Sequence, residues 1–270
     1  MLSAEEIQNG YWVANGWPET FLKPITEVSE YAGQEILSIA YARQNDTASQ
    51  RKKRVKQWCD LLPRLKIRML NFHAMNQELF DAATQIEGLE ALCTGSGRLK
   101  TIESVVHCTT LKSLTITTCP SVTGLVFLKQ LPYLIILAIE NVQEAQDLRF
   151  LSSLITIEDF SICGSLWTTQ KVNDLWPLTE LQNLQVLRFF STRVLDDGLS
   201  PLHHLKNLVK ILCDLNYSKA EFKALREALP ILKYGTPIDY PDPIARIEEL
   251  KRYYAEQMKT GGDPAKSDRL

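Results

Sequence analysis

The amino-acid sequence predicts an α/β solenoid, a fold in which one short structural unit is stacked on the next along the chain. The main observation is a frame of the form apolar-x-x-apolar-x-apolar, which occurs eight times at steps of 21 to 27 residues. A second observation is that each frame ends in alternating apolar and other residues, which is typical of a short strand. Self-similarity at this period indicates stacked repeats. The second apolar position of the copies falls at Leu70, Leu92, Leu114, Leu137, Phe160, Leu187, Ile211 and Leu232.

Two segments show the frame most clearly: residues 111–119 read LKSLTITTC and residues 184–192 read LQVLRFFST. They resemble leucine-rich repeats, in which L-x-x-L-x-L-x-x-N/C/T recurs about every 20–29 residues. The continuation VLDDGLSPLHHL at residues 194–205 is similar to bacterial members of this family. The resemblance implies a right-handed leucine-rich-repeat solenoid, with a parallel concave sheet and short helices or turns on its convex side. It implies no particular activity, because such folds serve many functions.

Within one repeat we expect a strand, a turn and a short helical segment. In the repeat that starts at residue 184, Asp196 or Asp197 is predicted to cap that segment, and Leu199, Leu202 and Leu205 are predicted to face the core. The final asparagine, cysteine or threonine of the frame is missing in four copies, where we expect less complete hydrogen bonding of the turn backbone. The residues found there instead are Met75, Gly97, Val142 and Ser165, whereas the copy that starts at Leu208 ends in Asn216.

The chain divides into three predicted regions. Residues 1–64 lack the frame and are predicted to form a helical region that caps the N-terminal end of the stack, with a helix at 49–62 and a further strand at 37–41. Residues 65–236 are the predicted solenoid of about eight repeats. Residues 237–270 are predicted to form a helix from Asp242-Pro243, folded over the last strand, and a flexible tail from residue 260. The apolar stripe of that helix is Ile244, Ile247, Leu250, Tyr254 and Met258.

The composition of the chain argues against two classes of partner, nucleic acids and membranes. The net charge of −2 gives no support to polyanion binding, so no nucleic-acid partner is predicted. The basic residues from Arg51 to Arg54 are interpreted as the solvated face of the capping helix. The first ten residues do not resemble a signal peptide, and the aliphatic run at 134–139 is too short to span a bilayer. We therefore predict a cytoplasmic protein with no membrane partner, whose six cysteines are reduced.

Sequence motifs for catalysis are not found. The chain has no HExxH, CxxC, GxSxG, P-loop or dinucleotide-binding fingerprint, so we predict no metal, no cofactor and no enzymatic activity. Cys163, at an outward strand position, is the best candidate for a nucleophile. No histidine occupies the equivalent position in the adjacent strands, and a cysteine nucleophile needs such a base. An enzyme of unrecognised type remains an alternative hypothesis.

The outward residues of the strands are the candidate binding site. Phe190 beside Arg188 on a concave surface has the composition of a protein-binding hot spot. The alternative is that Phe190 packs against an insertion at residues 166–174, where the repeat step is longest. The predicted partner-binding residues are Thr115, Ala138, Glu140, Asp159, Ser161, Arg188, Phe190, Leu212 and Asp214.

The function predicted from these observations is a non-catalytic protein–protein interaction module that binds its partner on the concave face. One specific hypothesis is an immunity protein that neutralises a cognate bacterial toxin or effector. A regulatory adaptor or scaffold is the alternative. No cofactor is expected in either case.

Overall fold

A long parallel sheet dominates the computed structural model, which describes residues 1–18, 22–165 and 167–259. Its main path runs β1-β2-β4-β5-β6-β7-β9-β11-β12, with β3 also paired to β4, and β8 pairs with β10 in a second, two-stranded sheet. The strands are β1 (Ile36–Ile39), β2 (Met69–Phe72), β3 (Ala74–Asn76), β4 (Ala91–Arg98), β5 (Ser113–Thr117), β6 (Ile136–Glu140), β7 (Asp159–Cys163), β8 (Gln170–Val172), β9 (Val186–Phe189), β10 (Thr192–Val194), β11 (Lys210–Cys213) and β12 (Tyr234–Gly235).

Most of the helical segments are short and lie between successive strands, whereas the first two α-helices precede β1 and the last two follow β12. The α-helices are α1 (Ala4–Asn9), α2 (Tyr11–Ala14), α3 (Ala48–Leu61), α4 (Gln77–Ala83), α5 (Lys219–Ala228), α6 (Thr236–Asp239) and α7 (Pro243–Lys259). The 3₁₀ segments are Val28–Glu30, Leu62–Arg64, Glu103–His107, Leu125–Gln130, Gln143–Gln146, Leu148–Ser153, Trp176–Glu180 and Ser200–His204. None of the helices in the described ranges is long and apolar enough to cross a lipid bilayer.

The inward residues of neighbouring strands stand opposite one another, and this register confirms the leucine-rich-repeat solenoid. Leu114 pairs with Leu137, and Leu137 pairs with Phe160 on the next strand. The same row contains Leu70, Leu92, Leu187 and Ile211, all fully buried. The predicted strand near residue 37 extends the row, because Leu37 pairs with Leu70. Each strand therefore buries its apolar side against its neighbours, as a repeat fold requires.

In the eighth repeat, the residue that pairs with Ile211 is Gly235, three residues after the predicted Leu232. Leu232 itself lies in the loop before β12. Only glycine fits at this register position, because a Cβ at residue 235 would lie 1.9 Å from the carbonyl oxygen of Ile211. The backbone of Gly235 also has a φ of +95°, which favours glycine. The last strand thus carries a glycine where the other repeats carry a large apolar residue.

The turn after β6 is hydrogen-bonded despite its departure from the repeat pattern. Val142 has no polar side chain, but the buried amide of Gln170 both accepts from the Val142 N–H at 3.0 Å and donates to its carbonyl at 3.1 Å. The expected loss of hydrogen bonding at Val142 is therefore wrong. At the other end of the sheet, the hydroxyl of Thr236 forms hydrogen bonds with the N–H and the carbonyl of Cys213. Asn216, the asparagine at the end of that repeat frame, is exposed.

In the repeat that starts at residue 184, the inward face of the short helical segment is as predicted. Leu199, Leu202 and Leu205 are buried. The capping prediction is wrong, because no side chain caps the Ser200–His204 segment. The carboxylate of Asp197 instead accepts a hydrogen bond from the indole N–H of Trp176 at 2.8 Å.

An ion-pair cluster around the buried Arg54 of α3 organises the N-terminal cap. The guanidinium of Arg54 donates to Asp46 at 3.0 Å and to Glu27 at 2.6 Å. On the same helix, Trp58 is fully buried and donates to the carbonyl of Thr26 at 2.9 Å. The other basic residues of this run are exposed, so the predicted solvated face of the helix excludes Arg54. These exposed residues are Arg51, Lys52, Lys53 and Lys56.

At the C-terminal end, α7 starts at Pro243 as predicted, but its apolar stripe is not buried. Ile244 is 62% exposed and Tyr254 is 44% exposed. The last strands are covered instead by α5 and α6, through Phe222 and Thr236. The prediction that α7 folds over the last strand is therefore wrong for these two residues. The side chain of Met258 and the predicted tail at 260–270 lie outside the described residues.

The burial of the inward side chains predicts how far the truncation of one of them lowers the free energy of unfolding. Leu137→Ala should lower the free energy of unfolding by about 2–5 kcal/mol, since it removes a fully buried side chain between two strands. The control is Val126→Ala, which truncates a side chain that is 50% exposed on a 3₁₀ segment. It should change the free energy of unfolding by less than about 0.5 kcal/mol. Urea unfolding followed by circular dichroism measures both. Equal effects of the two variants would contradict the role of the row.

The Asp46–Arg54 pair predicts a loss of stability in acid. The hydrogen bond from Arg54 lowers the pKa of Asp46 to about 2, whereas an unfolded aspartate has a pKa of about 3.9. Because the folded pKa is the lower one, the pair stabilises the fold fully above about pH 4, and this contribution is lost as the pH falls through about 2.

Urea unfolding between about pH 5 and pH 2 tests this. The wild-type protein should lose stability more steeply than Asp46→Asn. Asp60→Asn, in the exposed pair with Lys56, should retain the wild-type slope. A wild-type slope in Asp46→Asn would show that the carboxylate does not carry the effect.

Candidate functional site

The outward side chains of the strands form three rows that run across the sheet, one for each outward position along a strand. The first row is Met69, Ala91, Ser113, Ile136, Asp159, Val186 and Lys210. The second row is Asn71, Cys93, Thr115, Ala138, Ser161, Arg188 and Leu212. The third row comprises Thr117, Glu140 and Cys163, continued by Phe190 and Asp214 at the ends of β9 and β11.

The first row is covered by residues 1–17, which we call the N-terminal strap. Leu2 and Tyr11 of the strap are buried in a cluster with the outward side chains of Met69, Ile136 and Val186. Burial raises the pKa of Tyr11 to about 12, so its phenol stays protonated. The outward residues were predicted to form the binding site, but in the first row this segment covers Met69, Ala91, Ile136 and Val186.

Polar contacts fix the strap across most of the sheet. The indole of Trp12 donates to the hydroxyl of Ser113 at 3.1 Å. Arg68, next to β2, donates to the carbonyl of Asn15 at 2.7 Å, and Lys210 of β11 donates to the carbonyl of Ile7 at 2.8 Å. These contacts extend from β2 to β11. This part of the predicted N-terminal capping region therefore lies on the outward face rather than on the end of the stack.

Asp159 is not part of the accessible surface, although its outward position in the repeat predicts it in the binding site. It is 3% exposed and forms an ion pair with Arg188 on the adjacent strand. Burial raises the pKa of Asp159, and the charge of Arg188 opposes this shift. Because Arg188 compensates a buried carboxylate, its removal would leave Asp159 unpaired. Arg188 therefore has a structural role whether or not a partner contacts it.

The remaining predicted residues lie in the second and third rows. Thr115, Ala138, Ser161 and Leu212 are half-buried and form a shallow floor of mostly small side chains. Two acidic residues are half-buried beside this floor and are engaged within the fold. Glu140 accepts from the hydroxyl of Thr118 at 3.0 Å, and Asp214 accepts from the N–H of Thr192 at 3.4 Å.

Phe190 is 40% exposed at the end of β9, so the insertion does not bury its ring. The backbone of the insertion lies close to this position, because the N–H of Gln170 donates to the carbonyl of Ser191, the residue after Phe190, at 2.9 Å. The structure thus brings Ser161, Arg188, Phe190, Leu212 and Asp214 together on β7, β9 and β11. Their contact with a partner stays a prediction.

Trp167, which is 91% exposed in the insertion after β7, was not predicted from the sequence as part of the binding surface. The hydroxyl of Ser165 accepts from the N–H groups of Trp167 and Thr168, at 3.2 and 3.1 Å, and fixes the turn that carries the indole. We call Trp167 and Phe190 the aromatic rim, because both protrude where β7 and β9 end. The 27-residue repeat step was the signal in the sequence that marked this place.

The described residues give no geometric evidence for catalysis. Within them, no group of three or more histidine, cysteine, aspartate or glutamate side chains is arranged to hold a metal ion. All six cysteines are free. The thiol of Cys163 lies 3.4 Å from the hydroxyl of Ser161. Burial raises the pKa of Cys108 and of Cys213 to about 12, which disfavours thiolate chemistry at both residues.

The strap contacts predict a measurable effect of one tryptophan. Trp12→Ala removes the hydrogen bond to Ser113 and the edge-to-face contact with Trp17, whose ring lies 4.9 Å away. We expect at least about tenfold faster amide exchange in peptides from residues 1–17, because local opening becomes easier by about 1.4 kcal/mol or more. Trp167→Ala is the matched control and should leave this exchange unchanged. Wild-type protection in Trp12→Ala would refute the docking of the strap through Trp12.

Comparisons with known proteins give structural matches only. No protein-family model matches the chain, and a search of curated proteins finds no significant match. An internalin (inlF) from Listeria monocytogenes is 22% identical with a TM-score of 0.44, over 58% of this chain and 42% of that protein. Internalin C2 from the same species is 19% identical with a TM-score of 0.42, over 59% of this chain and 82% of that protein.

The plant peptide hormone receptor RGFR1, solved in complex with RGF2, is 14% identical with a TM-score of 0.42, over 60% of this chain and 26% of the receptor. The matched part is thus less than half of the inlF internalin and about a quarter of the receptor. The leucine-rich-repeat fold of this chain is established by its own strands, which stack in register.

Proposed function

We propose that this protein is a non-catalytic protein-binding module, and that its partner contacts the second and third outward rows together with the aromatic rim. The observation that carries the proposal is the aromatic rim itself. Trp167 and Phe190 protrude from neighbouring strand ends, although large aromatic side chains are normally buried. Aromatic residues in this setting are typical anchors of protein interfaces.

The surroundings of the aromatic rim favour binding to a preformed surface. The turn around Trp167 is fixed by Ser165, and the strand that carries Phe190 lies in a continuous sheet. Rigid anchors lose little conformational freedom when a partner binds. The small side chains of the floor, among them Ala138 and Ser161, leave room for the partner to approach the strands.

The N-terminal strap restricts where a partner can bind. It already covers the first row, so the free part of the outward face lies towards the ends of the strands. Asp159 is therefore excluded from direct contact with a partner. Thr115, Ala138, Glu140, Ser161, Arg188, Phe190, Leu212 and Asp214 remain within the proposed surface.

As the specific form of this function, we propose an immunity protein that holds a cognate bacterial toxin inactive in the cytoplasm. The similarity of residues 194–205 to bacterial repeats motivates this proposal, and a rigid, preformed surface suits a tight one-to-one complex. Six free cysteines are consistent with a reducing compartment. A regulatory adaptor is the second candidate and would show several weaker partners. Stoichiometry and affinity of the complexes captured from the native host distinguish the two.

Phe190→Ala tests the proposed binding surface. With the partner isolated by affinity capture, we expect isothermal titration calorimetry to show about 30-fold weaker binding, which corresponds to a hot spot of about 2 kcal/mol. The melting temperature should change little, because the ring is 40% exposed. Val126→Ala, which truncates an exposed apolar side chain away from the strands, should bind like the wild type. Wild-type affinity in both Phe190→Ala and Trp167→Ala would reject this surface.

A further inference from the structure

We propose that the aromatic rim acts together with a neighbouring pair of basic residues, Lys171 and Arg193, to recognise an acidic segment of a protein partner. This inference rests on the proposed function and adds the chemistry of the partner. The structure places the two basic residues opposite each other on the small sheet formed by β8 and β10. Lys171 follows the turn of Trp167, and Arg193 lies three residues after Phe190.

The backbone under the basic pair is fixed on its inner side. Lys171 of β8 stands opposite Arg193 of β10, and both side chains are exposed. Next to them, Gln170 bonds the backbone of Val142, and the buried hydroxyl of Thr192 donates to the carbonyl of Ile162 at 2.9 Å. The two cations are therefore presented side by side on a sheet that cannot easily rearrange to separate them.

This arrangement is unfavourable for the isolated protein. Like charges directly opposite each other on neighbouring strands lower stability. Among the residues that the structure describes, neither Lys171 nor Arg193 forms a hydrogen bond or an ion pair through its side chain. A carboxylate from a partner would relieve the repulsion and gain charge-assisted hydrogen bonds from both.

Three carboxylates near the basic pair accept hydrogen bonds from other residues. Asp174 accepts from the N–H of Trp176 at 2.9 Å, and Asp197 accepts from its indole N–H at 2.8 Å. Asp214 accepts from the backbone of Thr192. These carboxylates thus leave the basic pair for a ligand, on strands that directly follow the segments of the two exposed aromatic residues.

An acidic protein segment fits this surface better than a nucleic acid does. Nucleic-acid sites neutralise several phosphates along a basic groove, whereas this surface offers two adjacent cations on a chain with a net charge of −2. An aromatic side chain beside a basic one matches a peptide that combines carboxylates with apolar residues.

Fluorescence anisotropy with defined probes tests the proposal. The probe is a labelled glutamate-rich dodecapeptide with two leucines, and the comparison probes are its lysine-rich counterpart and an oligothymidylate of equal length. At low salt, the wild-type protein should bind the acidic peptide in preference to both. The variant Lys171→Glu/Arg193→Glu should bind it at least about tenfold more weakly. The variant Lys52→Glu/Lys53→Glu, which changes the net charge equally on exposed residues of α3, should bind like the wild type.

The single variant Lys171→Glu controls for loss of the fold, because it replaces the repulsion between Lys171 and Arg193 by an attraction. Its melting temperature should equal or exceed that of the wild type, and its affinity for the acidic peptide should fall. Three results would overturn the proposal: no binding of the acidic peptide by the wild type, equal loss in both double variants, or preferential binding of the oligothymidylate through the same pair. Any of these results leaves the proposed function standing if Phe190→Ala still weakens the complex with the captured partner.

Discussion

The fold depends on one constraint: each inward side chain must lie opposite the inward side chain of the next repeat. A single strand with its short helical segment cannot bury its apolar side alone, so every repeat is stable only between neighbours. The row from Leu37 to Ile211 meets this constraint with large apolar residues, and Gly235 ends it where the backbone approaches too closely for a side chain. Because the register is fixed on the inside, the outward rows are fixed as well.

The outward rows divide the sheet into a part that the chain uses itself and a part that stays free. The N-terminal strap takes the first row and buries apolar side chains that would otherwise face water. The free part lies towards the strand ends, where Trp167 and Phe190 are exposed on fixed backbone. The longest repeat step produces the turn of Trp167 and also supplies Gln170, which completes the hydrogen bonding around Val142. One insertion thus contributes to both stability and the proposed surface.

Features that depend on local periodicity could be predicted from the sequence, whereas features that depend on contacts between distant segments could not. Seven of the eight inward positions and the exposure of Phe190 result from alternation along single strands. The burial of Ile136 and Val186 depends on a strap more than a hundred residues away, in a region that lacks the repeat frame. The burial of Asp159 is accompanied by an ion pair with Arg188 of the adjacent strand. The bond between Gln170 and Val142 spans 28 residues and no consensus position marks it. The exposed stripe of α7 shows that helical periodicity does not by itself identify a packing partner.

A double-mutant cycle measures the central constraint most directly. Leu137→Ala and Phe160→Ala affect side chains that stand opposite each other, whereas Leu70→Ala and Leu187→Ala affect side chains separated by several strands. We expect a coupling free energy of about 0.5–3 kcal/mol for the first pair and additivity within about 0.5 kcal/mol for the second. Additive effects for Leu137 and Phe160, or equal coupling in both pairs, would contradict a solenoid stabilised by contacts between neighbouring repeats.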